Sequence, residues 1–508
     1  MKTILFLLTL VCCLNILAQT DQKSKQKKAK KKQATGWGYN NPETGKFEQW
    51  PITEQETPEG CVLVEGGLFL MGNQPNGYLI NQSDSLFCKH DYKARVTIAS
   101  FFISDHEVTN GEYNSFLNWF KIRRAMDILA EHHAELRLEN GQYNEEIPID
   151  WSHPTLLKYF YLPTKNANGE YQIDPKQILY ALPDASCFKK EYDYRSNASS
   201  ADFLLWKNID SMSRYFTDPI YKDFPVVGIS WVQANEYCKW LSNESNQKIL
   251  LTKKLLKKYS YYFTTENYLK SNDKSSATNF LQPNFRIPTE AEWEYAAAYF
   301  DKGTEPGSFG SNSKHFYPWG TNKLVDKKGI YLANFGRIYD QNELLMKKLN
   351  DDGFLFSSPV KSFAPNQHEI YDMAGNVSEW VMDMPRITHK DENYEFYSSL
   401  HKTNPKLTFT IAFNELKKVI LGLDTNNQSG IDKVNEYLSQ RISYENHLKN
   451  NSPARVVKGG SWADAALYLM PGSSTFFNQN SSSARIGFRV VMDRIGSPVS
   501  NRKRRSRK

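Results

Sequence analysis

Cysteine is scarce in this chain. Six occur in 508 residues, and Cys12 and Cys13 fall in the apolar first eighteen. The other four, Cys61, Cys88, Cys187 and Cys238, show no CxxC spacing, which argues against a zinc ribbon or a thioredoxin-type motif. After residue 18 no apolar run is long enough to span a bilayer. No GxSxG, P-loop or GxGxxG stands out, and "GYLINQSDSLF" reads as a loop and not as a nucleophile's surroundings. Neither long heptads nor a fixed-period repeat is present.

Aromatic residues and turn formers are plentiful. Tyr and Phe number 29 each, with 27 Gly and 22 Pro, a composition that suits a loop-rich fold with a buried core. The net charge of +7 is a property of the ends. Seven lysines lie in Lys23–Lys32 and six basic residues in the closing "RKRRSRK". Without these, Lys2 and Asp21, 49 basic and 55 acidic residues remain, a body of about −6. Solvated tails are the plain reading of both ends, and docking on an anionic membrane or partner surface is the functional one. Nucleic acid is not expected as a partner, because the basic residues are not interleaved with a folded aromatic surface.

Lys2 and the apolar stretch Ile4–Leu17 predict an export signal over residues 1–18, cut after Ala18. A second reading is a lipoprotein signal with Cys13 as the lipidated residue. Residues 19–59 read as a Lys-rich spacer and linker, with Trp37, Tyr39 and Trp50 as anchors. A domain over 60–495 and a basic tail over 496–508 complete the chain.

Within the domain, "CVLVEGGLFLMGN" predicts two strands in a hairpin, and Arg95–Ile103 predicts one strand. Three strand-to-helix steps follow. Their predicted caps are Thr109 or Asn110, then Ser230, then Thr289 with Glu292 in the capping-box position. Tyr113, Phe116 and Leu117 should share one face of the first helix, and Ala234, Tyr237, Cys238 and Leu241 one face of the second. Polar segments near 121–220, 244–284 and 386–453 read as insertions on a common core, where partner contacts tend to be added. His132 and His133, being adjacent, point to different helix faces and read as solvated surface.

The ordered blocks "GGLFLMG", "EVTNGEYNSFL", "PVVGISWVQANEYCKWLS", "RIPTEAEWEYAAA", "YPWG", "GNVSEWV", "KGGSW" and "IGFRV" resemble the formylglycine-generating enzyme, or sulfatase-modifying, family. The resemblance implies an α+β, C-type-lectin-like fold with much irregular structure, large insertions and one or two calcium ions. It assigns one calcium to the side chains of Asp372 and Glu379 with the carbonyls of Gly375 and Val377. It assigns the other to Asn334 and Asp352 with the carbonyls of Phe335 and Phe354. From the residues alone, these Asx and acidic groups are also good turn caps.

The two copper-binding cysteine positions of that family fall on Asp464 and Leu469. One is a hard ligand and the other no ligand, so no copper, no catalytic residue and no enzyme activity are expected. A disulfide that some relatives make from the position of Cys238 would need a cysteine at Val490, so Cys238 is expected to be a buried thiol. The flanks "TGWGYNNPETGKFE" and "FRVVMDRIGSP" resemble the gliding-motility lipoproteins of the type IX secretion machinery. That likeness implies a structural role on the periplasmic face of the outer membrane, a lipid anchor, and partners among the other secretion subunits, including a related lipoprotein of the same fold. The alternatives are a formylglycine-generating-type oxidase and a glycan- or peptide-binding module using aromatics near Trp462.

Overall fold

The computed structural model describes residues 55–72, 94–188, 214–271, 281–300, 315–336, 353–354, 356–384, 454–464 and 466–495. Cys13, Cys88, Asp352 and the 386–453 segment lie outside the described residues. The strands are β1 (Cys61–Val64), β2 (Gly67–Met71), β3 (Ala94–Ile98), β4 (Phe101–Ser104), β5 (Tyr161–Lys165), β6 (Tyr171–Ile173), β7 (Phe285–Arg286), β8 (Ser378–Trp380), β9 (Ala454–Lys458), β10 (Ser474–Asn478), β11 (Ile486–Gly487) and β12 (Val491–Asp493). The main helices are α1 (Asn110–His132), α2 (Pro154–Tyr159), α3 (Trp231–Thr252), α4 (Thr265–Ser271) and α5 (Glu290–Ala297). The fold is α+β. Among the described residues no helix is long and apolar enough to cross a membrane.

The central sheet has the order β1-β4-β12-β7, all antiparallel. Its alternating side chains feed two cores. Phe102, Phe285 and Met492 pack with α1 and α3, against Tyr113, Phe116, Ala234 and Tyr237. Val64, Phe101, Ile103 and Val491 pack on the other face with Trp293 and Tyr295 of α5. Strand alternation and helix periodicity thus meet in a three-layer packing, with helices on both faces of one sheet. A second sheet, β10-β9-β8-β11, leads into the loop that begins at Gly459; its β8–β11 pair is parallel.

The expected hairpin of β1 and β2 does not form. β1 pairs with β4, and β2 pairs with β3. The expected single strand from Arg95 to Ile103 is likewise broken, at Ala99 and Ser100. One cause explains both departures. Gly66 and Ser100 sit opposite each other, and the Gly66 N–H donates to Ser100 Oγ at 3.0 Å. A Cβ on Gly66 would run into the Ile98 carbonyl oxygen. The two halves therefore bend together as one kinked antiparallel ribbon, and the Gly-Gly step is the kink and not a turn.

The three caps are as the sequence predicts. Thr109, Ser230 and Thr289 each accept from the backbone three residues on, and Glu112, Gln233 and Glu292 reach back to complete the box. Helix α1 continues through residue 121 to His132, and α3 through 244 to Thr252, so the segments expected to begin there start inside helices.

Parts of the first two inserted segments fold together. Ala125, Met126, Ile128 and Leu129 of α1 form a small core with Tyr143, Leu156 and Phe160, on which Tyr261 and Tyr262 pack from the second segment. Tyr262 Oη donates to Asp127 at 2.8 Å, and the Arg123 guanidinium lies 3.9 Å from the Tyr262 ring centre. Lys258 pairs with Glu146 at 2.9 Å. His132 is exposed and stacked on Tyr159; His133 closes the helix and contacts Thr155 at 2.7 Å.

Candidate functional site

The loop after β9 begins with Gly459 and Gly460, at φ of 92° and 67°. Both residues need the left-handed region, which glycine enters without steric cost. A Cβ on Gly459 would press on the Trp293 ring, and one on Gly460 on the Tyr468 backbone. The frame is then stitched by backbone bonds. Gly375 N donates to Gly459 O at 3.0 Å, Trp462 N to Asn376 O at 2.8 Å, and Asn376 N to Asn334 O at 2.8 Å. Three distant segments converge here.

Asp464 turns back into this frame. One carboxylate oxygen, Oδ2, accepts from Ser461 N at 2.9 Å, Ser461 Oγ at 2.5 Å and Ser378 Oγ at 3.4 Å. The other, Oδ1, takes Arg485 Nη1 at 3.2 Å. Leu469 is wholly buried among Tyr317, Ala333, Phe335, Ala374 and Met470. Each side chain does a packing or hydrogen-bonding job, and neither offers a soft donor. Trp462 is buried too, with its indole N–H donated to Ala484 O at 3.2 Å and its ring edge-on to Phe356. It presents no open face to a ligand.

The second constellation is a buried carboxyl cluster at the turn 372–376. Asp372, Gly375 and Asn376 all have positive φ, at 56°, 82° and 58°. Asp and Asn tolerate this region better than other side chains. A Cβ on Gly375 would collide with the Asn334 carbonyl oxygen. The turn thereby brings the two expected calcium neighbourhoods into contact. Asn334 is buried and gives its side-chain N–H to Phe356 O at 2.7 Å. Phe335 is buried in the Leu469 cluster, and Phe354 meets the Phe363 ring at 6.3 Å. Val377 packs with Trp462 and Phe356.

Glu379 is engaged from both sides. Arg489 Nε donates to Oε2 at 2.6 Å and Nη2 to Oε1 at 2.7 Å, while Trp293 Nε1 adds a bond to Oε2 at 2.7 Å. Two more guanidinium N–H groups go to the Ser104 and Tyr371 carbonyls at 3.1 Å. Such a fork-to-fork pair is a strong, geometrically specific contact. Asp372 Oδ2 accepts from Lys361 N at 2.7 Å, and its carboxyl is raised to about 6, first by burial. Glu107 is completely buried beside it. Burial pushes its carboxyl well up, and the Asp372 and Glu379 carboxylates add to this. Its Oε1 accepts from Asn376 Nδ2 at 3.2 Å, while Oε2 has no hydrogen-bond partner.

The donor atoms around this turn are of one chemical kind. Every donor is a hard oxygen of the kind calcium takes, although among the described residues no group of three or more His, Cys, Asp or Glu is arranged to hold a metal ion. Sequence reasoning misses Glu107 and Arg489. Their only signal is position: Glu107 in "DHEVTN" directly after β4, and Arg489 in "GFRVV" directly before β12.

The family profile described as sulfatase-modifying factor enzyme 1-like domain matches residues 46–494. The chain belongs to that family. A formylglycine-generating enzyme of Bos taurus is 23% identical over 338 residues, covering 66% of this chain and 60% of the relative. The chain therefore spans less than two thirds of that relative's length. The inactive C-alpha-formylglycine-generating enzyme 2 of Bos taurus is 26% identical over 170 residues, 33% of this chain and 36% of that protein. The solved structure of PvdO from Pseudomonas aeruginosa aligns over 88% of this chain and all of its own, at 18% identity and a TM-score of 0.35. In this member of the family Cys238 is an unpaired buried thiol, pushed up by burial, in the same apolar cluster as buried Val490.

Proposed function

We propose that this chain is a non-catalytic structural protein of the family, a scaffold and not an oxidase. The observation that carries this reading is the double occupation of the active-loop frame: Asp464 is bound by Ser461 and Arg485, and Leu469 is sealed in a core. A relative named as inactive supports such a role within the family. The test is anaerobic Cu(I) titration together with conversion of a sulfatase-type cysteine peptide. Neither copper binding nor aldehyde formation is expected; thiol-dependent copper uptake with turnover overturns the reading and restores the oxidase alternative.

The finer proposal is a lipoprotein of the gliding-motility and type IX secretion apparatus, of the lipoprotein J kind with lipoprotein K second. Exported and held at the periplasmic face of the outer membrane through Cys13, it presents its inserted surfaces to partner subunits. The co-folded unit around Phe160 and Tyr262 supports this, being an added structured surface outside the central sheet. A multi-acyl anchor is needed, since one acyl chain binds membranes marginally. Calcium is proposed as the brace between the 334–335 and 372–379 turns. Palmitate labelling of the wild type against Cys13→Ala tests the anchor. Capture of the full chain from its native envelope tests the partners, and recovery without secretion or motility subunits counts against the assignment. A glycan-binding role is less favoured, because Trp462 is buried.

A further inference from the structure

Helix α3 ends in "KKLLKK", Lys253–Lys258, and the four lysines of that turn are exposed. The two leucines between them anchor the turn. Leu255 and Leu256 are half-buried, and their backbone N–H groups both donate to Leu250 O, at 2.8 and 3.1 Å. The lysines are thereby held outward on a fixed support. Lysine near a helix C-terminus offsets the macrodipole, which is the plain structural account of such a run.

Lys254 goes beyond that account. Its φ is 57°, in the left-handed region where a helix stop ordinarily takes glycine. A side chain with a Cβ is strained there. The turn therefore keeps a charge at a position where stability alone favours glycine. Glu146 pairs with Lys258 at 2.9 Å, and Glu244 with Lys248 at 3.4 Å. Tyr259 is exposed and donates its Oη to Glu244 at 2.8 Å, while Tyr261 and Tyr262 turn onto the core of the inserted unit. The face is thus rich in lysine without a row of open rings, which suits phosphate groups and not stacked bases.

The points where both basic ends join the domain are tied to the same helix. Gln55 Oε1 accepts from Ile495 N at 2.7 Å, and Gln55 Nε2 donates to Gln282 Oε1 at 2.9 Å. Asn246 of α3 holds Gln282 in turn, accepting from its backbone N–H at 2.8 Å and donating to its carbonyl at 3.2 Å. Asn246 lies six residues, roughly 9 Å of helix, before Thr252. In the sequence the seven lysines of Lys23–Lys32 precede Gln55, and "RKRRSRK" follows Ile495. Ile495 is itself 49% exposed, an apolar group at the exit of the basic tail, and the nearby acid Asp493 is paired with Arg286.

We infer that the Lys253–Lys258 turn docks this protein on an anionic phospholipid headgroup surface, with the two basic ends, tethered at Gln55 and Ile495, adding to the same contact. A layer of phosphates suits charges drawn from three chain segments toward one end of a helix. Each basic residue near such a layer contributes, and salt screens them all. The contact is separate from an acyl anchor at Cys13 and from the non-catalytic reading, and it turns the end of α3 toward the membrane.

The test is co-sedimentation of the full chain with phosphatidylcholine vesicles containing about a third phosphatidylglycerol, against phosphatidylcholine alone. All variants share one full-length background, so any contribution of the apolar leader is common to them. The wild type is expected to partition at least about tenfold more strongly onto the anionic vesicles and to lose that excess at high salt. Combining Lys253→Gln, Lys254→Gly and Lys257→Gln is expected to lower the anionic partition by at least about tenfold and to leave the neutral one unchanged. Lys254→Gly alone is expected to weaken anionic binding severalfold without lowering Tm, because glycine relieves the positive φ. Wild-type-like anionic binding by the triple variant overturns the inference. So does a wild type without preference for phosphatidylglycerol, which leaves an acidic protein as the partner of the lysines. A lower Tm in Lys254→Gly with unchanged binding also overturns it and returns the turn to a dipole-capping role.

Discussion

Arg485 reaches across 21 positions to hold Asp464 at 3.2 Å, on a carboxylate that also closes a turn with Ser461. The carboxylate organises the loop. Asp464→Ala is expected to cost about 1–3 kcal/mol, because two Ser461 donors and one guanidinium lose their acceptor. Urea unfolding measures this. Arg485→Ala should cost less, since both side chains are partly exposed and the ion pair is screened. A larger loss in the arginine variant contradicts the assignment of Asp464 as the organising group.

The Arg489–Glu379 pair sits in the interior with neither side chain accessible. Removing one partner strands the other. Arg489→Met is expected to destabilise by about 3–5 kcal/mol, and the double variant Arg489→Met with Glu379→Gln to recover part of that loss. Chemical denaturation of the four proteins forms the cycle. No recovery in the double variant contradicts a dominant pairing role.

Gly66 carries the kink that aligns both halves of the β1–β4 and β2–β3 ribbon. Its neighbour is backbone, which gives way reluctantly. Gly66→Ala should cost about 1–3 kcal/mol by forced displacement, seen as a lower urea midpoint. An unchanged midpoint removes the close-approach explanation.

Glu292 is held by Arg286 through two contacts of 2.7 Å and by the Thr289 cap. Burial opposes ionisation, but the Arg286 and Thr289 contacts win and leave its carboxyl below the usual range. A depressed folded pKa stabilises above the unfolded value of about 4.3 and ceases to do so as pH falls through the folded value. The stability difference between wild type and Glu292→Gln should therefore be full at neutral pH and shrink below about pH 4. A difference independent of pH across that range contradicts the ion pair.

Tyr262 joins the two inserted segments through Asp127 and Arg123. Half-buried, it is worth about 2 kcal/mol against alanine. Tyr262→Ala should raise hydrogen exchange in 125–160 more than in the central sheet. Uniform loss across the domain contradicts an accessory unit with its own core.

Some features are legible in the sequence because they are local. Thr109, Ser230 and Thr289 cap helices through residues three positions away, so sequence spacing alone reveals them. The Gly-Gly step misleads because two glycines between apolar runs ordinarily mark a tight turn, whereas Gly66 answers to Ser100, 34 positions on. Glu107 is silent for the same reason. Its meaning depends on Asn376, 269 positions away.

By itself the sequence determined the helix caps, the apolar faces of α1 and α3, and the absence of thiolates at Asp464 and Leu469. Each of these depends on residue identity or on spacing within a turn or two. Only the tertiary structure decided that Glu379 is Arg489's counter-ion, that Glu107 keeps an unpartnered oxygen beside Asp372, and that two inserted segments share a core. These depend on which buried charges and apolar faces meet, and chain separation of a hundred residues or more carries no local signal of that meeting.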